Sequence, residues 1–441
     1  MKNIKYLFLG LVTLGLFASC ESFLADDDIN LDPNKPSDVP VNAILPNIEI
    51  RLVDVYGGDT SRFNTMIAQQ VEGVARQWSS FNNYSGLTPN RFGTAWDNFY
   101  ENILIEVNNM ILIANERGYN HYEGVGKVLK AYALMTMTDL WGDIPYSEAA
   151  LVGDAPLNLN PSFDSRASIY TEVFSLLSSA NALLSGGNGG LAVGSDDVIY
   201  GGNTSAWLKA IKAIEARAHL HQGNNSAALT AAKASFVSPD DNMSYTYNSS
   251  QQAGWWRFND GRTGDIEFHP TLRGIMSGLN DTDRLEVLDQ TFITSHPYFK
   301  ANATVALISY REVQFMIAEL ETAGSAAKHE AYMQGIAASF VEVGLGETEY
   351  NSYIANSSVD PGVAGLTNDH VMTQKYIGLF GQPQVFNDMR RQPNLEPYSN
   401  MAPTSGTQLP VRWNYPADEL LFNENAAGYV TTHTLFSPSI F

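Results

Sequence analysis

Two stretches of the chain gather residue types that could hold a flat, partly apolar ligand. GWWRFNDGRTGD, residues 254–265, sets Trp255 and Trp256 side by side, next to Arg257, Asn259 and Asp260. QWSSFNNYSG, residues 77–86, sets Trp78, Phe81 and Tyr84 around Asn82 and Asn83. Aromatic faces give such a ligand a surface, while amides, carboxylates and guanidinia satisfy its polar rim. The adjacent indoles pose a geometric problem. Neighbours on a helix point about 100° apart, and on a strand they point to opposite faces. Two adjacent Trp cannot share one core face on a regular backbone, and Gly254, Gly261 and Gly264 predict an irregular one. Two readings follow: a loop that tucks one indole into the core, or an aromatic platform. Trp78 also ends an apolar stripe begun at Phe63, so a core role stands beside the binding one. Phe258 is expected to be buried.

Other chemistry is scarce. The sequence has no HExxH, P-loop, CxxC or GxSxG pattern, and the glycines of GGNGGLAVGS, residues 186–195, follow no strand. His219 and His221 lie two apart on a predicted helix and face different ways, which is poor metal geometry. Asp281 with Asp283, and Asp260 with Asp265, offer oxygen ligands for a structural calcium but lack the spacing of an EF-hand loop. No metal site and no cofactor is predicted. A solvated acidic loop is the default.

The elements that must position these residues are helices. From Val41 onward, apolar residues recur every three or four positions: Phe63, Ile67, Val71, Val74 and Trp78, then Phe92, Trp96, Phe99 and Ile103. The same spacing links Trp207, Ile211, Ile214 and Ala218, and again Tyr310, Val313, Ile317 and Leu320. Alternating strand patterns are few and short. The expected fold class is mainly α. Residues 205–236 and 309–344 read as helical hairpins of roughly tetratricopeptide length, broken at Gly223-Asn224-Asn225 and at Gly324. Between helices, residues 236–304, 345–368 and 392–441 read as long irregular loops, the kind that carry function. The Trp pair lies in the first of them.

The 441 residues include 47 Asp and Glu against 26 Lys and Arg, which argues against a nucleic-acid partner. MKNIKYLFLGLVTLGLFASC places two lysines before an apolar run and small residues after it, the order of a secretory signal over residues 1–19. It ends at Cys20, the only cysteine, and Leu16-Phe17-Ala18-Ser19-Cys20 resembles a bacterial lipobox. A lipidated Cys20 explains a lone cysteine in an exported chain better than a free thiol does. Residues 20–40 are polar and acidic with three prolines, and read as a tether. Residues 41–441 show no composition shift and are expected to form one domain.

Five blocks then add up to a family resemblance. GKVLKAYALMTMTDLWGDIPYSEA (126–149), WLKAIKAIEARAHL (207–220), ISYREVQFMIAELE (308–321), QKYIGLFGQPQVFNDMRR (374–391) and LPVRWNYPADELLFNENA (409–426) occur in order behind the lipobox. The chain resembles the SusD/RagB nutrient-binding lipoproteins of Bacteroidetes-type bacteria, in their SusD-like branch. The resemblance implies a scaffold of repeat-like helical pairs under a loop-rich surface. It also implies an outer-membrane lipoprotein facing the cell exterior, which captures glycan and passes it to a SusC-type TonB-dependent transporter without catalysis. Asp26-Asp27-Asp28 loosely resembles the family's surface-export signal. The blocks themselves, with Arg390, Arg391 and the Tyr415-Pro416 turn, read as architecture. Ligand contacts in the family commonly come from a loop after an early helix and from a mid-chain loop, the places of the two aromatic stretches here. The expected contacts are therefore Trp78, Asn82, Tyr84, Trp255, Trp256 and Arg257, with at least one of the paired indoles facing the ligand. A peptide-capturing member of the same family and an α-helical glycoside hydrolase are the alternatives. The hydrolase would need two carboxylates ~5–10 Å apart.

Overall fold

The computed structural model describes residues 39–153, 156, 158–290 and 296–441. The expected signal segment, Cys20, Asp26 to Asp28 and nearly all of the tether lie outside the described residues.

The chain enters through α1 (Val41–Val55), continues into a π-helical turn at Tyr56–Thr60, and resumes as α2 (Ser61–Ile67). A short strand β1 (Val71–Gly73) leads to α3 (Arg76–Asn82) and α4 (Gly93–Asp97). A second π-helical turn at Asn98–Leu104 joins α4 to α5 (Ile105–Arg117). The long α6 (Asn120–Trp141) stops at Gly142, whose φ of +88° is costly for any residue with a Cβ. Pro145, in the two-residue strand β2 (Ile144–Pro145), keeps it from resuming. β3 (Phe163–Asp164) pairs with β2 and opens onto α7 (Arg166–Ser185).

The second half repeats the helix-pair theme. α8 (Thr204–His221) and α9 (Asn225–Lys233) break at Gly223-Asn224, as the sequence predicts. Segment 236–304 is more regular than expected: it holds β4 (Met243–Thr246), α10 (Gly254–Arg262), β5 (Ile266–Phe268), α11 (Pro270–Gly278) and α12 (Thr282–Leu288). β6 (Thr304–Ile308) pairs with β4, and α13 (Tyr310–Leu320) breaks near Gly324 before α14 (Ala326–Glu342). α15 (Glu347–Ile354), α16 (Gly362–Gly365), α17 (Asn368–Gly378), α18 (Gln384–Arg391) and α19 (Ala417–Phe422) complete the helices. Consecutive helices pack in pairs: α5 on α6, α6 on α7, α8 on α9 and α13 on α14. The fold is mainly α, and the strands are short two-stranded clasps.

Starts are set by side chains. Ser165, Asn203, Ser309 and Ser325 each accept a backbone N–H from the first turn of α7, α8, α13 and α14. Such caps are worth ~1 kcal/mol each.

The five sequence blocks meet inside the molecule. Arg217 of α8 donates to both carboxylate oxygens of Glu312 of α13, at 2.8 and 2.7 Å, and to the Leu307 carbonyl at 2.8 Å. Lys375 of α17 lies 2.9 Å from Asp388 of α18, and Arg391 pairs with Glu319 of α13. Arg390 donates to the Asp139 carbonyl at 2.7 Å, and Tyr415 to the Asp143 carbonyl at 2.7 Å. The Arg217, Lys375 and Arg391 charges are buried against carboxylates, while Arg390 and Tyr415 donate to backbone carbonyls, so the blocks fix one another's places.

Candidate functional site

The clasp of β1 with β5 brings the two aromatic stretches together. Val71 stands opposite Phe268 and Gly73 opposite Ile266. Beyond the ladder, Val74 N–H donates to the Asp265 carbonyl at 2.9 Å, and Arg76 Nη1 lies 2.7 Å from Asp265 Oδ1. α3 and α10 then meet where the Phe258 ring touches the Trp78 ring edge-on, 4.8 Å between centroids.

That meeting is inside the protein. Trp78 is 5% exposed and stacks on Phe63 at 5.7 Å. Trp255 is 3% exposed, donates its indole N–H to Ser61 Oγ at 2.9 Å, and lies 4.2 Å from the Phe299 ring. Tyr84 is buried, and its hydroxyl accepts from Thr404 N–H at 3.2 Å. Asn82 is half-buried, with its carbonyl bound by the Thr404 hydroxyl. The backbone around the Trp pair is helical rather than irregular. The helical step between neighbours therefore turns Trp255 into the core and leaves Trp256 half-buried at the surface. A platform built from both indoles, or from Trp78 or Tyr84, has no open face. Arg257 is exposed and pairs with Asp54 at 3.0 Å.

Arg257 opens onto a cleft of about 380 Å³. One wall is the face of α10 bearing Gly254, Arg257 and Phe258, spaced three and four apart. Asp54, Gly58, Asp59 and Arg62 of the α1–α2 region make the second wall, and Thr94, Ala95 and Asn98 the third. Both π-helical turns border it, through Gly58 and Asp59 in one and Asn98 in the other. The wide helical turn at Asn98–Leu104 is of an uncommon kind that concentrates at functional sites, whereas the one at Tyr56–Thr60 is a kink centred on Gly58. Two glycines permit the close approach: a Cβ on Gly254 would sit 3.1 Å from the Gly58 Cα. Gly58 itself adopts φ −96° and ψ −110°, outside helical values.

Arg62, Asp59, Asp54 and Arg257 of the cleft are held by one another and by their neighbours. Arg62 donates to the Gly254 carbonyl at 3.1 Å, pairs with Asp59, and lies over the Phe258 ring at 4.9 Å. Tyr247 donates to Asp54 at 2.5 Å. Burial, then the Asp54 charge, pushes the Tyr247 hydroxyl up, so it stays a protonated donor at neutral pH. With Arg51, also in the lining, the cleft holds guanidinia, carboxylates, an amide and a hydroxyl around the Phe258 ring. Such a set can hydrogen-bond a ligand rich in hydroxyls. Arg51, Asp54, Asp59, Arg62, Thr94 and Asn98 were not picked out by the sequence. The one available signal was Gly57-Gly58, a helix-breaking pair inside an otherwise apolar helical run.

The remaining candidates are committed elsewhere. His221 Nδ1 lies 2.7 Å from Asp139 Oδ2, while its Nε2 faces the Gln384 amide nitrogen at 2.9 Å. A neutral ring donating from Nδ1 and accepting at Nε2 satisfies both contacts, and burial pushes its pKa down. His219 stacks on Phe174 at 4.3 Å. Asp281 faces Arg284, and Asp265 faces Arg76.

A family model described as starch-binding and associating with the outer membrane matches residues 33–292 and 271–416. The chain belongs to the SusD-like family. The SusD-like fold is shared with a SusD/RagB family protein from Bacteroides thetaiotaomicron, at a TM-score of 0.74 and 19% identity, covering 91% of this chain and 98% of that one. A SusD homologue from Bacteroides fragilis gives a TM-score of 0.70 at 20% identity, over 91% and 98% of the two chains. A chitin-binding SusD homologue from Flavobacterium johnsoniae gives 0.71 at 19%, over the same shares. Among curated proteins none matches. Among the described residues of this SusD-like protein, no helix is long and apolar enough to cross a membrane.

Proposed function

We propose that this protein binds an oligosaccharide at the outer cell surface and hands it, uncut, to a SusC-type TonB-dependent transporter, while Cys20 carries the lipid that holds it to the outer membrane. Family membership supports glycan as the ligand, as do the chitin-binding relatives of the same fold. The observation that carries the reading is the cleft where α10 meets both π-helical turns, lined by fixed polar groups about the Phe258 ring. Arg257, Asn98 and Thr94 would hydrogen-bond the sugar hydroxyls. Trp78 and Trp255 act from behind, packing edge-on against Phe258 at 4.8 and 6.3 Å.

A non-catalytic role fits the carboxylates of the cleft. Asp54 is engaged by Arg257 and Tyr247, and Asp59 by Arg62. A glycosidase needs two carboxyl groups free to face the scissile bond, and both of these are occupied by partners. The test is a panel of polysaccharides in affinity gels, followed by a reducing-end assay. Retardation without released ends is expected, and Arg257→Ala should weaken binding about 10-fold, the loss of one charge-assisted hydrogen bond. Released ends would move the assignment to the hydrolase. Retention of peptides but of no glycan would move it to a peptide-capturing member.

A further inference from the structure

We infer that the groove continues past Thr94 into a second cleft and ends on the Phe422 ring, so that the ligand is a linear, non-acidic oligosaccharide spanning both. This rests on the glycan reading above and extends it. α4 is the shared wall: Thr94 lines the first cleft and also a second one of about 480 Å³, which faces α19. Each cleft falls within the range of a small-ligand site.

Two apolar side chains of the second cleft are among the most exposed large apolar residues described, Leu159 at 72% and Phe422 at 70%. Neither contributes to the core. Yet the segment that carries Phe422 is tied in place. Asn423 donates to the Pro161 carbonyl at 2.9 Å and to Glu419 at 2.7 Å, Glu424 N–H donates to Asn160 Oδ1 at 2.8 Å, and Asn425 donates to the Asn160 carbonyl at 2.8 Å. The ring is held outward on a fixed support. A pre-positioned aromatic face loses little freedom on binding, and a sugar's C–H face fits it.

Charge defines what the second cleft takes. Asp97, Asp418 and Glu419 line it without a lysine or arginine, whereas Arg51, Arg62 and Arg257 line the first. Burial pushes the Asp97 carboxyl up, with Glu101 and Asp418 adding to the effect, and burial also pushes up Glu419. These acids are short of positive charge. Hydroxyl or amine donors on a sugar relieve that shortage, while a uronate or sulfate adds to it.

The test is calorimetry with cello-, malto- and chito-oligosaccharide ladders from disaccharide to octasaccharide, and with oligogalacturonides. The proteins compared are the wild type, Phe422→Ala and, as an exposed control on α14, Val341→Ala. Affinity should climb with length in the wild type and in the control. Phe422→Ala should lose ~5- to 10-fold on the longest members, the value of one stacked ring, and nothing on the disaccharide. Oligogalacturonides should bind more weakly than neutral chains of equal length. Glycan binding that Phe422→Ala leaves unchanged at every length, or a preference for the acidic chains, would overturn the extension and leave the first cleft standing. A wild type that binds no ladder and no polysaccharide removes the glycan reading, and this extension with it.

Discussion

Trp255 and Trp256 differ by one step along α10 and by their whole surroundings. Trp255 packs tilted against Phe299 and donates to Ser61 Oγ, so Trp255→Ala removes a buried ring and one hydrogen bond, though Ser61 keeps its bond to the Gly381 carbonyl. The expected cost is ~3–5 kcal/mol, which a denaturant titration reads directly. Trp256→Ala should cost ~1 kcal/mol or less, since its ring is half-exposed. Equal losses in the two variants would contradict this assignment. A second residue-scale expectation concerns acid. Burial holds the pKa of His296 at about 4, below the ordinary ~6.5. The unfolded chain then binds the extra proton first, so this contribution to stability is complete above pH ~6.5 and is lost as pH falls towards about 4. Stability of wild type should therefore fall over that window more steeply than that of His296→Gln, which cannot titrate. Parallel pH profiles would show that His296 is not held neutral.

At the scale of elements, α8, α13, α17 and α18 are locked by buried charges rather than by apolar contact alone. Arg217→Met leaves Glu312 buried without its partner, and should destabilise the protein by ~3–5 kcal/mol. The double variant Arg217→Met with Glu312→Leu should recover part of that loss, because no lone charge remains. If the double variant were as unstable as the sum of its singles, the pair would have no energetic coupling. Much of this frame was legible in the sequence. Helical periodicity located α8 and α13, with Gly223 and Gly324 in the turns beyond them. The stripe drawn from Phe63 to Trp78, by contrast, is no single helix: β1 at Val71–Gly73 separates α2 from α3, because that segment pairs with β5. The site was legible only in part. Trp255 is a core residue because Ser61 and Phe299, remote in sequence, close around it, and no local pattern carries that information. Gly254 and Gly261 suggested a loop, yet Gly254 is small because α10 presses against Gly58. The cleft-lining Asp54, Thr94 and Asn98 sit on helices whose apolar stripes dominate their local pattern, so only the fold reveals that they converge.

For the whole molecule, an acidic helical body presents a polar cleft, and the sequence joins it to a lipobox-like start. Cys20→Ala should leave the folded body intact and release it from the outer membrane, which fractionation in a strain lacking the partner transporter would show. Quantitative retention in the membrane after signal cleavage would contradict lipid anchoring. The central claim is that glycan sits in the cleft between α10 and the two π-helical turns. A crystal structure of the protein with an oligosaccharide selected by the binding panel tests it most directly. The account predicts sugar hydroxyls within hydrogen-bonding distance of Arg257 and Asn98, with a ring against Phe258. Sugar bound elsewhere, with this cleft filled only by solvent, would contradict it.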